Sequence, residues 1–434
     1  MSDKRFDVAI IGGGASGLAA AIELGMKAPR LSVAVLEKNE EPARKIRATG
    51  SGRCNITNTG AEGYTEILKF FRRTGIMTRT YENGLVYPYS ESAADVAELL
   101  IARAEELGAS IITGAEVTAV ENASRDTGRF CVSYVMKERK GRSDERSLIA
   151  DNVILALGGK AGPSYGTTGD GYKLARGLGH RIVTPVPVLT SIECEEWTEG
   201  RKPCGITLAG TRTRGVVTLY KYGNEDNVSP AEIFEESGEI QLTKYGLSGI
   251  CVFNMTRFMR YDRAGGESLG NFVIKADLFP DGDIKEFLRD RRENAFAGEK
   301  TGAVLRTVLK SNIAAFVLDT AGVHTRNKHL GEIPLADLTD RAIDAISSAV
   351  HDLAFHPKGI RGWKEAQATS GGVALDELDE MTCESLIVKG LYVTGELADR
   401  DFPCGGFNLS NAWITGMKAA GAIADKAMSG ADEI

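Results

Sequence analysis

The chain has 434 residues, more than a single hydrophobic core ordinarily serves, so two or three domains are expected. Hydrophobic residues make up 43% and charged residues 26%, and the net charge is -7 from 52 basic and 59 acidic side chains. This balance excludes collagen-like and disordered chains, and it argues against nucleic acid as a partner, which needs basic patches. No window approaches the roughly 18 apolar residues of a membrane span. The 7 cysteines contain no CxxC pair, which fits reduced thiols in the cytoplasm. A cytoplasmic protein that avoids membranes and nucleic acid is therefore expected, with its oligomeric state left open.

The first element in chain order is "FDVAII", Phe6 to Ile11, a short apolar run suited to a strand buried on both faces of a parallel sheet. Gly12, Gly14 and Gly17 then make G-x-G-x-x-G, and from Ala15 and Ser16 the sequence turns helical. Gly12 permits the tight turn, Gly14 lets backbone approach a pyrophosphate, and Gly17 lets the helix lie close to the strand. Free N–H groups at the helix start attract the anion. About 20 residues on, "LSVAVLEKN" supplies a second strand ending at Glu37, whose carboxylate can accept ribose hydroxyls and would repel a 2′-phosphate. NAD and FAD both satisfy this pattern.

The next stretch favours FAD. "KNEEPARKIRATGSGRCNITN" carries Lys38, Arg44, Lys45, Arg47 and Arg53. Gly50 and Gly52 make a second glycine turn just before Arg53, Cys54 and Asn55. Simple NAD dehydrogenases do not need such a turn; a longer, extended FAD does, because backbone must reach its flavin end. Residues 92–108 have helical spacing, 111–120 read as a strand, and "FCVSYVMKERKGRSDERSLIADNVILAL" reads as a hairpin with a solvated tip from Lys137 to Arg146. The apolar run Val153–Leu157, with Ala156 inside it, ends in Gly158 and Gly159.

After "RGLGHRIVTPVPVLTSIE" short alternating strands ("GITLAG", "RGVVTLYKYG", "GEIQLT") suggest a barrel-like β insert. Three helical stretches follow, the last with Leu338, Ile343, Ile346 and Val350 on one side. Near the C-terminus, Leu391–Thr394 is a short strand and Gly395-Glu396 a turn. Gly405-Gly406 then precede Asn408, Leu409 and a small-residue helix over Ala412–Ala427, a second anion-favouring N-terminus.

Here the chain resembles a known family. Its first 60 and last 70 residues are similar to the FAD-binding parts of two-dinucleotide-binding-domain flavoproteins, and "GLYVTGE" resembles the flavin segment of fumarate reductases. More closely, "ARKIRATGSGRCNITN", "EIQLTKYGLSG" and "GELADRDFPCGGFNLSNAW" resemble the BaiN/YhiN-like FAD-dependent oxidoreductases over essentially the whole chain. The resemblance implies non-covalent FAD touching Ala15, Glu37, Gly52, Val117 and Glu396, with Val117 against adenine through its backbone. It also implies an α/β fold: a Rossmann-like FAD-binding domain with parallel sheet and β-meander, interrupted by a β-barrel-like insert carrying a helical subdomain. The expected layout is 1–187 and 363–434 for the FAD domain, 188–275 for the β insert, 276–345 for the helices and 346–362 for the return. The activity implied is NAD(P)H-driven reduction of a small organic acceptor, an enone C=C with steroid-like acids as one substrate class, NAD(P)H being a transient co-substrate. Alternatives are an amine-type oxidase and a flavoprotein whose FAD is structural. The family usually shows His where Tyr245 stands, and often Pro at Ile250, so a role carried by that His does not transfer.

No catalytic acid or base is assigned; Tyr165, Tyr245, Arg400 and Asp401 are candidates only by their nearness to glycine motifs. His324/His329 and His351/His356 are each five apart, which misses the i, i+4 spacing for chelation, so no metal is expected. Cys54 and Cys404 stand singly in glycine-rich segments, and Ser248 in "GLSGIC" reads as a helix N-cap.

Overall fold

A computed structural model describes residues 4–124, 129–137, 143–197, 208–223, 230–262, 265–266, 268–323 and 331–429. The chain divides into two compact units: Met1–Val186 with Gln367–Ile434, and Pro187–Ala366.

The first unit is built on a seven-stranded sheet. The strand Lys4–Ile11 lies at its centre, parallel to Val33–Glu37 on one side and to Ser143–Leu155 on the other. Ser110–Thr113 extends the parallel sheet beyond Val33–Glu37, and Leu391–Val393, from the far end of the chain, pairs with Val153–Leu155. Residues alternate between faces along a strand. Val8 and Ile10 therefore bury into one cluster with the helices Ala15–Lys27, Ala93–Glu106 and Phe407–Ser429. Ala9 and Ile11 bury into another, against Val132, Tyr172 and Leu174. Burial on both faces is why "FDVAII" has no polar alternation.

The stretch 111–120, expected as one strand, is two: Ser110–Thr113 and Ala115–Ser124. Gly114, at φ +69, breaks it and turns the chain out of the parallel sheet into an antiparallel meander with Arg129–Lys137 and Ser143–Leu155. Part of the hairpin tip, residues 138–142, lies outside the described residues. The C-terminal helix begins at Phe407, five residues before the expected Ala412. Asn408 fits inside it because its side chain bonds backward, accepting from the Phe402 N–H (3.1 Å) and donating to the Phe402 carbonyl (2.8 Å).

The second unit carries a seven-stranded sheet, in order Leu353–Phe355, Phe272–Asp277, Thr211–Lys221, Ala231–Leu242, Gly246–Ser248, Ile192–Cys194 and Pro357–Ile360. Among the described residues no ladder joins the two end strands, so the barrel-like closure is not seen. The helices Ile284–Glu293, Thr301–Val308, Ser311–Thr320 and Asp340–His351 share one hydrophobic core with this sheet. Ser248 is not an N-cap. It ends a strand and accepts from the Ser191 hydroxyl (3.0 Å), while Gly249 caps the helix Ile250–Met255 without a side-chain bond. Gly249 is needed there at φ +114, because a Cβ would stand 2.2 Å from the Glu239 carbonyl oxygen.

A buried brace in the first unit was not visible in the sequence. Glu377 Oε2 lies 2.9 Å from His180 Nδ1, and His180 Nε2 lies 2.9 Å from Ser385 Oγ. The order acid, histidine, serine is that of a hydrolase relay, but Ser385 is buried and its oxygen accepts the N–H groups of Ile387 (3.1 Å) and Val388 (2.8 Å). Its lone pairs are occupied, so the triplet holds the 377–388 segment in place. His180→Ala is expected to destabilise the chain by about 2–4 kcal/mol through a cavity and two stranded polar groups. Urea unfolding reads this as a lowered midpoint.

Candidate functional site

The glycine turn and the helix that follows it are shaped by three different needs. Gly12, at φ +108, passes so close to the strand beside it that a Cβ would meet the Ala156 carbonyl oxygen at 2.4 Å. At Gly17 a Cβ would meet the Gly12 carbonyl oxygen at 2.0 Å. Gly14 faces open space, with no atom within 4 Å of such a Cβ. It occupies the N-cap of Ala15–Lys27 without a side-chain cap, and Leu18 is the first residue to bond back to it (2.9 Å). The N–H groups of Ala15, Ser16 and Gly17 therefore have no partner in their own helix and present partial positive charge toward the opening.

Glu37 ends the adjacent strand and is 8% exposed. Its Oε2 accepts the Gly13 N–H (2.9 Å), while Oε1 accepts the Asn39 N–H (2.8 Å) and Asn39 Nδ2 (2.6 Å). The carboxylate thus braces the glycine turn, a contact not visible in the sequence. The Gly114 N–H donates to the Asn39 carbonyl (3.0 Å), which brings the start of the meander, with the buried Val117, beside this end of the strand.

Farther along, the two ends of the chain meet. Lys45 Nζ is 2.8 Å from Glu396 Oε2, and Glu396 Oε1 accepts the Thr369 N–H (2.8 Å). Gly395, at φ +67, donates its N–H to Thr415 Oγ1 (2.9 Å), and a Cβ on it would lie 3.1 Å from Ser16 Oγ. Gly158 is at φ +70. A Cβ on its neighbour Gly159 would strike Thr369 Oγ1 at 2.4 Å and Glu396 Oε1 at 2.6 Å. The second glycine turn holds Gly50, Ser51 and Gly52 at φ 57, 58 and 86; Gly52 is open, and Gly50 is pressed against the Asn55 backbone. Arg53 lies over the Tyr87 ring at 4.9 Å. Asn55 is buried, and its Oδ1 has no hydrogen-bond partner among the described residues.

Three sequence candidates have side chains engaged elsewhere. Lys38 bonds Thr168 Oγ1 (2.7 Å) and pairs with Asp170, so its charge is already met. Asn408 is spent on the 402–403 loop, and Leu409 packs against the core, so both offer a ligand backbone alone. Arg400 borders a cavity of about 380 Å³ with Cys383, Val393, Asn411 and Thr415. Tyr245, in the second unit, lies under the Arg361 guanidinium at 4.9 Å. His351 bonds Asp277 (3.0 Å) and His356 bonds Glu196 (2.8 Å), while His324 and His329 lie outside the described residues. Among the described residues no three metal-ligating side chains gather, and no helix is long and apolar enough to cross a membrane.

Burial pushes the Cys54 thiol up to about 11, and Cys383 and Cys251 likewise to about 11. A thiol so raised stays protonated at neutral pH and is a poor nucleophile. Alkylation of the native protein at pH 8, read by mass spectrometry, is expected to leave Cys54 unmodified while half-exposed Cys404 reacts. Rapid labelling of Cys54 would instead favour a redox role.

The donor set fits a dinucleotide longer than a glycine turn alone would hold: open amides at a helix start, a buried carboxylate at the end of the adjacent strand, then two further backbone turns from opposite ends of the chain. The family model described as "HI0933-like protein Rossmann domain" matches residues 6–65 and 63–422. The 3-dehydro-bile acid delta(4,6)-reductase of Clostridium scindens is 31% identical over 96% of this chain and 99% of its own length. The ribosomal RNA dihydrouridine synthase of Escherichia coli is 26% identical over 96% of this chain and 98% of its own. Among solved structures, the 3-ketosteroid-delta4-(5alpha)-dehydrogenase of Rhodococcus jostii is 14% identical over 97% of each chain, with a TM-score of 0.47. The chain belongs to the HI0933-like family of Rossmann-fold, FAD-dependent oxidoreductases.

Proposed function

We propose that the protein uses FAD to reduce a C=C bond conjugated to a carbonyl in a small organic substrate, with NAD(P)H as the electron source. The observation that carries the cofactor reading is the convergence of the Gly12–Gly17 turn, Glu37, the Lys45–Glu396 pair and the Gly50–Gly52 turn within one unit. In this reading the first-helix amides hold the diphosphate, Glu37 the adenosine ribose, and Gly52 with Gly395 admits the flavin end by bare backbone. FAD, when bound, supplies two-electron transfer between a nicotinamide donor and an acceptor. The chain contributes orientation, exclusion of water and the Lys45–Glu396 pair, which ties its two end segments together beside the cofactor.

The bond class is supported by the relatives' names. A 3-oxo steroid with C4 and C6 unsaturation carries C=C bonds conjugated to its carbonyl. Uridine, whose C5=C6 bond takes up two hydrogens to give dihydrouridine, carries one too. The small-molecule substrate follows the more similar of these relatives and the acidic charge balance.

The test is anaerobic mixing of the yellow protein with NADH and with NADPH, followed by a 3-oxo-4-ene bile acid. Bleaching by a nicotinamide and recovery of colour on adding the enone are expected. Bleaching by amines alone, with peroxide formed in air, would transfer the reading to an oxidase. Inertness to every donor would favour a structural FAD, and recovery with rRNA but not the enone would favour the nucleic acid substrate.

A further inference from the structure

We infer that Asn55, together with the N-terminus of the Phe407–Ser429 helix, reads an imide edge (a ring N–H flanked by a carbonyl), and that this edge belongs to the pyrimidine ring of the flavin. The inference rests on the FAD reading above and adds which side chain recognises the cofactor's redox-active end.

Asn55 is 8% exposed, yet its Oδ1 finds no donor among the described residues. Buried carbonyl oxygens are nearly always paired, so an unpaired one marks a place where a ligand's donor belongs. The residue is not loosely placed. The Ile56 carbonyl accepts from Trp413 Nε1 (3.0 Å), and Thr57 Oγ1 lies 2.7 Å from Ser410 Oγ, so the segment is clamped alongside the first turns of the C-terminal helix. Two glycines keep its surroundings bare. A Cβ at Gly406, which is held at φ +95, would lie 3.1 Å from Asn55 Oδ1, and a Cβ at Gly50 would lie 2.9 Å from the Asn55 backbone nitrogen.

Beside this acceptor stand donors. Ser410 is the first residue of the helix to bond back, to the Gly406 carbonyl (2.9 Å), which leaves the N–H groups of Phe407, Asn408 and Leu409 without intrahelical partners. Acceptor next to donor is the complement of an N–H next to a C=O. Adenine also sets a donor beside an acceptor, at N6 and N1, but the reading above puts it at the Glu37 end. The isoalloxazine ring carries the matching edge at N3–H with its neighbouring carbonyls. The helix N-terminus also favours negative charge that collects on such a carbonyl. Asn55 thus acts as a positioning residue at the flavin end, opposite the adenosine end at Glu37.

The test compares FAD with N3-methyl-FAD, which lacks the donor, in titrations of the stripped protein followed by flavin fluorescence. Wild type is expected to bind the methylated cofactor at least ~10-fold more weakly, the loss of one buried hydrogen bond. Asn55→Leu should weaken FAD by a similar factor and bring the two cofactors to within about twofold of each other. Asn55→Asp, which keeps an oxygen in place, should restore the discrimination. Wild type that binds both cofactors alike overturns this inference alone, and needs no variant to fold. Undiminished discrimination in Asn55→Leu also overturns it. A wild type that binds neither cofactor overturns the FAD reading itself.

Discussion

Glu37→Ala is expected to yield a folded but nearly colourless protein. The Glu37 carboxylate accepts the Gly13 N–H at 2.9 Å in a buried setting, and in the proposed reading it also accepts from the ribose. Removing it strands a buried donor, at about 1–3 kcal/mol, and deletes hydrogen bonds to a charged acceptor, at about 1.5–3 kcal/mol. Relaxation of the turn recovers part of this. A loss of FAD affinity on the order of 100-fold remains, taking 1.4 kcal/mol per factor of ten. Glu37→Gln preserves shape and one acceptor oxygen, so its loss should be about tenfold. The ratio of flavin to protein absorbance after dialysis reads both. Undiminished retention in Glu37→Ala would remove the ribose from this end of the groove, and with it the direction assigned to the cofactor.

Glu37 also shows where sequence reading succeeds. Its place at the end of a strand, about 20 residues beyond a glycine turn, depends on local periodicity, and so do Gly12, Gly14 and Gly17. Contacts between distant segments could not be reached this way. Nothing near Lys45 announces that Glu396 will neutralise it, and nothing near Gly416 announces that it passes within touching distance of Ser16, where a Cβ would lie 2.2 Å from the Ser16 carbonyl oxygen. The empty hydrogen-bonding valence of Asn55 exists only because Gly406 arrives beside it from the other end of the chain. Local rules also mislead where a close approach outranks them. Ser248 has the composition of an N-cap, but the backbone at Gly249 must skirt Glu239, and that steric demand decides where the helix begins.

The same distinction between crowding and openness gives the second large effect. Gly14→Ala and Gly17→Ala add one methyl each, three residues apart, and should fail in different ways. Gly14 has φ -87 and ψ -163, a conformation any residue adopts, and nothing lies within 4 Å of an added Cβ. Alanine in place of glycine at an N-cap costs on the order of 1 kcal/mol, so the thermal midpoint should fall by only a few degrees. The methyl, however, projects into the space in front of the free amides of the first turn, where a diphosphate must come into hydrogen-bond range. FAD retention should fall by about 100-fold, the loss of two such charge-assisted bonds. At Gly17 the added Cβ would lie 2.0 Å from the Gly12 carbonyl oxygen and 3.3 Å from Ile10 Cγ2. A backbone oxygen within the turn cannot swing aside, so the helix must lift from the sheet and give up its packing against Val8, Ile10 and the C-terminal helix. The cost should exceed about 3 kcal/mol, enough to lower the yield of soluble protein with or without added FAD. Differential scanning fluorimetry at zero and saturating FAD separates the two cases. Gly14→Ala should melt within a few degrees of the stripped wild type and gain almost nothing from the cofactor, whereas Gly17→Ala should melt far earlier in both conditions. A Gly14→Ala protein that is stabilised by FAD as strongly as wild type would mean that the diphosphate does not pass this turn.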